Sequence, residues 1–157
     1  LLQGDDRNGR TAEEVVDRLM EIVPEATSVR SHSMTQSSVL LNLFYEKGLR
    51  YDCNHFIPFQ ENIKLKPYLL WNNLIKVPYL WEDDISCACG GLSTSMVVKG
   101  ANDLNVFDFH PIHVFLNTSD LSLYESTKDI HKKTEQLFKA RWQKEGVQSW
   151  LEELLGK

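Results

Sequence analysis

The amino-terminal half of the chain alternates between amphipathic segments and short apolar runs. Residues 11–23 place apolar side chains every three or four positions, and Thr11 followed by Glu14 forms a capping-box pattern, so we predict a helix. A short strand is predicted at about residues 27–31, then a second helix ending before Gly48, then a strand in "LRYDCN". This order repeats at roughly 20 to 25 residues, a spacing typical of parallel βα units and an α/β fold.

The remainder of the chain is less regular in its middle and helical at its end. "PYLLWNNLIKVPYLWEDD" predicts two short aromatic-rich strands, and "SCACGGLSTS" predicts turns that pass above a site. "GANDLNVFDFHPIHVFLN" predicts a turn followed by a buried strand. From Leu121 onward the apolar spacing predicts helices. We find no internal repeat, low-complexity tract or linker, so we predict a single domain over residues 1–157.

Composition narrows the possible functions. The chain is 42% hydrophobic and 25% charged, which indicates a globular protein, and its net charge of −5 argues against a nucleic-acid-binding surface. No apolar run approaches the about 18 residues needed to span a bilayer, so we predict no membrane span. Cys53, Cys87 and Cys89 do not form a disulfide or metal-binding pattern, and we expect reduced thiols in a cytoplasmic protein.

Side chains suited to metal binding or proton transfer follow the predicted strands. They are Arg30 and His32 in "SVRSHS", Asp52, Asn54 and His55 in "RYDCNH", Glu82, Asp83 and Asp84 in "LWEDD", and Asp108, His110 and His113 in "FDFHPIH". Because α/β folds build their sites at the carboxyl ends of parallel strands, we expect these groups to meet at one mouth. Imidazole and carboxylate together are ligands for Zn²⁺ or a similar divalent ion.

Each of these residues also has a structural interpretation. A histidine after a strand often bonds only backbone or water, Arg30 could pair with Asp52 or Asp84, and "EDD" could be an exposed acidic turn or the start of a helix. His110 and His113 are harder to explain structurally, because Pro111 between them fixes its own φ and holds the preceding residue extended. The pair therefore presents both imidazoles in a defined arrangement, which suits a site better than a core.

Three motifs resemble those of the polysaccharide deacetylase (NodB-like) superfamily, in its surface-polysaccharide branch. They are "RSHS", "WEDD" and "FHPIHVFLNT", within a similarity over about residues 10–130. The resemblance implies an irregular (β/α) barrel that uses a divalent metal, most simply zinc, to hydrolyse N- or O-acetyl groups of a sugar or polysaccharide precursor. It also implies that a carboxylate acts as base, an arginine orients it, and a late histidine acts as acid.

We transfer these roles residue by residue. The late motif makes His110 or His113 the acid or a metal ligand, and the two assignments stay open. With His113 as acid, the predicted catalytic residues are His113, Arg30 and Asp83. The predicted metal ligands are then His32 and His110, and the predicted substrate-binding residues are Trp81, Asp84 and Asn54.

The sequence also departs from the family pattern. The early Asp-containing motif and the early His motif have no counterpart upstream of residue 27, and "LLQGDDRNG" resembles the loop that follows them. We therefore expect the carboxyl-terminal half to two-thirds of the barrel, completed by a missing amino-terminal segment or a second chain. The alternative functions are a non-catalytic carbohydrate-binding or structural domain derived from the barrel, and an unrelated metal hydrolase.

Overall fold

The computed structural model describes residues 9–59, 63–98 and 104–157. The chain divides into two compact units: unit 1 comprises Leu1–His55 and Lys66–Pro78, and unit 2 comprises Phe56–Leu65 and Tyr79–Lys157. The expectation for the opening loop falls largely on residues 1–8, which lie outside the described residues. Most of the predicted turn that starts at residue 100 lies outside them as well.

Unit 1 is built on a small, mostly parallel sheet. Its elements are α1 (Ala12–Ile22), β1 (Ser28–Val29), α2 (Ser38–Glu46), β2 (Tyr51–Asp52), β3 (Tyr68–Leu69) and β4 (Ile75–Lys76), with a 3₁₀ turn at His32–Met34. The strand order is β1-β2-β4-β3, and only β3 runs antiparallel to its neighbour. The connection from β1 through α2 to β2 is thus the βα unit that the sequence predicts.

Both helices of unit 1 begin at the residues that cap them. Thr11 and Glu14 form the reciprocal capping box before α1, and the Ser37 hydroxyl accepts the Leu40 N–H at the start of α2. Gly48 follows α2 with φ of +90°, the left-handed conformation that glycine adopts without steric cost. The apolar faces of both helices pack with the sheet into one core, formed by Val16, Leu41, Phe44, Leu49 and Leu74.

In its described residues, unit 2 combines one parallel strand pair with six short helices. The elements are β5 (Trp81–Glu82), α3 (Asp83–Ala88), α4 (Thr94–Val98), β6 (Phe107–Asp108), α5 (Pro111–Leu116), α6 (Leu121–Thr127), α7 (Thr134–Lys139) and α8 (Val147–Leu154). A 3₁₀ turn, Lys128–Ile130, follows α6. The core of unit 2 contains Leu65, Leu80, Trp81, Cys87, Val97, Val147 and Trp150. The helical carboxyl-terminal part agrees with the prediction from periodicity.

The structure corrects three predictions of secondary structure. The strand predicted through "HPIHVFLN" ends at Asp108, and α5 begins at Pro111, because proline is favoured in the first helical turn, where its missing N–H costs nothing. In "SCACGGLSTS" the predicted turn is confined to residues 89–93, because the segment begins inside α3 and ends inside α4. The aromatic-rich segment was predicted to contain two strands, and it contains three, which are β3, β4 and β5.

The α/β class with parallel strands and flanking helices is confirmed, although each sheet is small. Among the described residues, no helix is both long and apolar enough to cross a membrane. All three cysteines are free thiols, and burial raises the pKa of the Cys87 thiol to about 12, with Asp83 adding to the effect.

Gly146 provides a steric test of the packing before α8. A Cβ built on Gly146 would lie 2.3 Å from the backbone oxygen of Asn117 and 2.9 Å from that of Thr118. Because backbone atoms cannot move aside cheaply, Gly146→Ala is expected to lower the free energy of unfolding by about 1 to 3 kcal/mol. Urea unfolding monitored by circular dichroism measures this loss. Glu153→Ala on the exposed face of α8 is the control, and an equal effect of both variants would contradict the packing argument.

Candidate functional site

An acidic cluster lies at the carboxyl ends of β5 and β6. The parallel register pairs Glu82 with Asp108, so the residues that follow each strand leave the same edge of the pair. Asp83 and Asp84 follow β5 as the first residues of α3, and His110 stands two residues beyond β6 as the N-cap of α5. The structure therefore brings together five of the groups that the sequence places at strand ends.

The closest interaction in the cluster joins Asp83 to His110. The fully buried Asp83 carboxylate accepts the His110 backbone N–H at 2.7 Å through Oδ2, and its Oδ1 lies 2.7 Å from Nδ1 of the imidazole. The other ring nitrogen, Nε2, lies 3.9 Å from Oδ2 of Asp108, too far for a hydrogen bond. Asp83 therefore anchors one ring nitrogen of His110. The imidazole remains accessible, because 42% of the His110 side chain is exposed.

The surrounding carboxylates change the acidity of His110. The hydrogen bond to Asp83 raises the pKa of His110 from 6.5 to about 9, with further contributions from the charges of Asp83, Asp108 and Asp84, while burial acts in the opposite direction. At neutral pH the imidazole therefore carries two protons, one held by Asp83 on Nδ1 and one on Nε2. This arrangement can donate a proton to a reacting group.

His113 has a different environment, although it lies only one helical turn from His110. It is buried within α5, its Nδ1 lies 3.1 Å from the Thr118 hydroxyl, and its ring packs against Tyr124 with centroids 4.9 Å apart. Burial lowers the pKa of His113. A neutral, enclosed imidazole is a poorer proton donor than the half-exposed His110, whose ring lies edge-on to it at 5.8 Å.

The cluster also has donors suited to a divalent metal. Two sets of side chains each place three ligand atoms within 4.8 Å of one another: Glu82, Asp108 and His110 in one set, Asp83, Asp84 and His110 in the other. Carboxylate oxygens with one imidazole nitrogen fit Zn²⁺ or a harder divalent ion. Because a metal-bound imidazole must be unprotonated on the ligating nitrogen, His110 cannot act through Nε2 both as acid and as ligand at once.

Other predicted site residues lie in unit 1. Asn54, after β2, is fully buried: its side chain accepts the Ser31 N–H at 2.7 Å and donates to Asp52 at 2.7 Å. Asp52 in turn pairs with Lys76, whose ammonium lies 2.5 Å from its carboxylate and donates to Gln36 at 2.7 Å. This buried network ties together the carboxyl ends of three parallel strands and leaves Asn54 no exposed surface.

Arg30 and His32 follow β1, where the sequence places them. His32 is exposed and opens the 3₁₀ turn, in which Ser33 and Met34 both have positive φ. Arg30 is half-buried and borders an apolar cleft formed by α1 and β1 residues, among them Val16 and Met20.

The two remaining predicted substrate-binding residues differ in exposure. Asp84 belongs to the acidic cluster, with its backbone N–H bonded to Asp83 at 2.8 Å. Trp81 is only 2% exposed: its indole N–H donates to the Leu92 backbone oxygen, and its ring packs against Phe109. Trp81 thus belongs mainly to the core, although it also lines a small pocket beside Glu82.

Reasoning from sequence missed the lysine that completes the buried network. The structural alternative for Arg30 was an ion pair with Asp52 or Asp84, and the ion pair that the structure shows for Asp52 is with Lys76. The available signal was a lysine inside the apolar run "LIKVP", because an inward-facing charge in a strand requires a partner.

Comparison with known proteins identifies the family of this chain. Residues 2–128 match the family described as WbmS-like polysaccharide deacetylase. The WbmS protein of Bordetella bronchiseptica, assigned as a polysaccharide deacetylase involved in O-antigen biosynthesis, has a similar structure, with a TM-score of 0.84 and 38% identity. The alignment covers 98% of this chain and 64% of that protein, so the chain spans less than two-thirds of its length. Comparison with curated proteins gives no significant match. The chain belongs to the WbmS-like polysaccharide deacetylase family.

Proposed function

We propose that this protein is a metal-dependent deacetylase that hydrolyses N- or O-acetyl groups on a sugar or polysaccharide precursor. Membership of the family supports the class of reaction. The observation that carries the proposal within this chain is the Asp83–His110 pair, set among further carboxylates at the ends of two parallel strands. Such a pair supplies the proton that hydrolysis of an acetyl group requires for its leaving amine or alcohol.

In this proposal His110 is the general acid and Asp83 is its positioning residue. Asp83 holds Nδ1 and the backbone N–H of His110, which fixes the ring, and its charge keeps the imidazole protonated. The proton on Nε2 is then delivered to the departing amine nitrogen or alcohol oxygen. His113, the first assignment for this role, would instead support the ring of His110 from inside α5.

The carboxylates around His110 are the proposed holders of the metal. With His110 acting as acid, the oxygen donors that remain are Glu82 and Asp108 in one set and Asp84, beside Asp83, in the other. A divalent ion held there would polarise the acetyl carbonyl and lower the pKa of a bound water molecule. Zinc is the ion that the family resemblance implies.

The remaining roles that the family resemblance implies are proposed for the complete protein. We propose that Arg30 orients a catalytic carboxylate, that His32 is a metal ligand, and that the strands belong to an irregular (β/α) barrel. The similar WbmS protein is longer than this chain. An additional segment, or a second chain, would supply the general base and the remaining ligands of that barrel.

Metal removal tests the proposed function directly. We expect the complete protein, with the segment or chain that supplies the general base, to contain zinc when purified without chelator and to release acetate from an N-acetylglucosamine tetramer. Treatment with EDTA should abolish that release, and added Zn²⁺ should restore it. Asp108→Asn should lower the zinc content measured by mass spectrometry, whereas Asp120→Asn, outside the cluster at the N-cap of α6, should not. Full activity after chelation, or an unchanged zinc content in Asp108→Asn, would refute the metal site.

A further inference from the structure

A polar cleft lies among the carboxyl-terminal helices of unit 2, and we call it the C-terminal cleft. It has a volume of about 290 Å³, and its lining includes Asn117, Phe138, Arg141, Trp142, Gln143 and Glu152. None of these residues belongs to the acidic cluster around His110. All except Asn117 lie beyond residue 128, where the match to the family ends. The cleft is therefore a feature that the proposed deacetylation does not use.

The floor of the C-terminal cleft is held in place by Asn117. This residue adopts a left-handed conformation at the end of α5, and its amide donates to the backbone oxygens of Trp142 at 3.1 Å and Lys144 at 2.7 Å. Its side-chain oxygen accepts the backbone N–H of Gln148 at 3.0 Å. These bonds fix the loop that carries Trp142 and Gln143, so a ligand would meet a largely preorganised surface.

The side chains that line the cleft include one cation, Arg141, and one anion, Glu152, so the lining carries no net charge. Arg141 donates to Gln148, and its guanidinium lies over the rings of Phe138 and Phe115 at 5.3 and 5.6 Å. Gln148 donates in turn to the Glu152 carboxylate at 2.8 Å. Because the net charge of the lining side chains is zero, the cleft favours a neutral ligand over a phosphate or a carboxylate.

The exposed groups suit a sugar ring. Trp142 is 40% exposed and Phe138 is 58% exposed, and an aromatic face packs against the C–H face of a pyranose. Gln143 donates one amide hydrogen to the Arg141 backbone oxygen, and Gln148 bonds Arg141 and Glu152. Each amide therefore keeps one further N–H and at least one acceptor lone pair, which matches hydroxyl groups that both donate and accept. We propose that the C-terminal cleft is an accessory subsite that binds one pyranose unit of a glycan. The choice of a glycan rests on the proposed function.

Indole N–H signals in NMR spectra of the ¹⁵N-labelled protein test this subsite. The chain has four tryptophans, and Trp142→Ala identifies the signal of Trp142. We expect titration with oligosaccharides of N-acetylglucosamine, N-acetylgalactosamine and glucose to shift that signal saturably with at least one of the three. The signal of Trp150, which is buried, should stay in place. A Trp142 signal that does not move with any of them at millimolar concentration would overturn the proposal.

Affinity measurements on variants of the cleft provide a second test of the subsite. Trp142→Ala is expected to weaken oligosaccharide binding about tenfold, the effect of losing one aromatic stacking contact. Gln143→Ala should weaken binding as well, whereas Gln136→Ala, an exposed glutamine outside the cleft, should not. Unchanged affinity in Trp142→Ala and Gln143→Ala, both shown to be folded, would refute the subsite. If binding persists but no acetate is released, only the proposed deacetylation fails; if acetate is released normally without these effects, only the subsite fails.

Discussion

His110→Gln is expected to lower kcat/KM for deacetylation by about 10²- to 10⁴-fold, the usual contribution of a general acid. Glutamine keeps a polar side chain of similar reach but cannot supply the proton that the imidazole carries on Nε2. The assay is acetate release from an N-acetylglucosamine tetramer. His131→Gln is the matched control, because His131 lies in the same unit and packs against Tyr124 rather than against the acidic cluster. Equal rates for His110→Gln and the unaltered protein would remove His110 from the mechanism.

Asp83→Asn is expected to lower the pKa of His110 while leaving the imidazole in place. In EDTA-treated protein, an NMR titration of His110 should have a midpoint near pH 9, and the midpoint should move towards 6.5 when the neutral amide replaces the carboxylate. Since the pKa of His110 is raised by folding, its contribution to stability is fully present below pH 6.5 and is lost as the pH rises through about 9. A midpoint that does not respond to Asp83→Asn would contradict the assignment of Asp83 as the positioning residue.

Lys76→Met is expected to lower the free energy of unfolding by about 3 to 5 kcal/mol, because it leaves the Asp52 carboxylate buried without its cation. Both side chains are almost completely inaccessible: 5% of Lys76 and none of Asp52 is exposed. Methionine preserves most of the aliphatic volume, so the loss of charge dominates the effect. Urea unfolding of the protein, followed by circular dichroism, provides the measurement.

Two further variants separate the buried charge from other effects. Lys47→Met removes an ammonium that pairs with Glu13 and Asp17 on the exposed surface of unit 1, and we expect a much smaller change there. The double variant Lys76→Met with Asp52→Leu removes both charges and should recover part of the lost stability. If the double variant is less stable than the sum of the single effects predicts, the cost lies in packing and not in an isolated carboxylate.

The sequence predicted local elements well where chemistry and periodicity agree. The capping box of α1 and the βα unit around α2 follow from patterns a few residues long, because caps and apolar stripes are local interactions. The parallel pairing of β5 with β6, separated by more than 20 residues, could be anticipated only as a general property of α/β folds. The transition from strand to helix at Pro111 was missed because an apolar run of this length suits either structure.

The candidate site was predictable in its residue types but not in its pairings. The sequence identified carboxylates and imidazoles after strands, and the structure shows that Asp83 contacts His110 while Asp52 contacts Lys76. Which acid meets which base depends on strand register and on the direction of individual side chains, and neither is encoded locally. The different burial of His110 and His113 likewise arises from the helix that begins between them, which extends along the chain only as far as Leu116.

The position of His110 at the N-cap of α5 gives Asp83 two functions at once. The same carboxylate accepts the backbone N–H of His110 and contacts its ring nitrogen, so the backbone and the imidazole depend on one side chain at the start of α3. Selection would then act on the two residues jointly. Across related sequences we expect loss of the aspartate to accompany loss of the histidine, and relatives without both to have abandoned hydrolysis while retaining the fold.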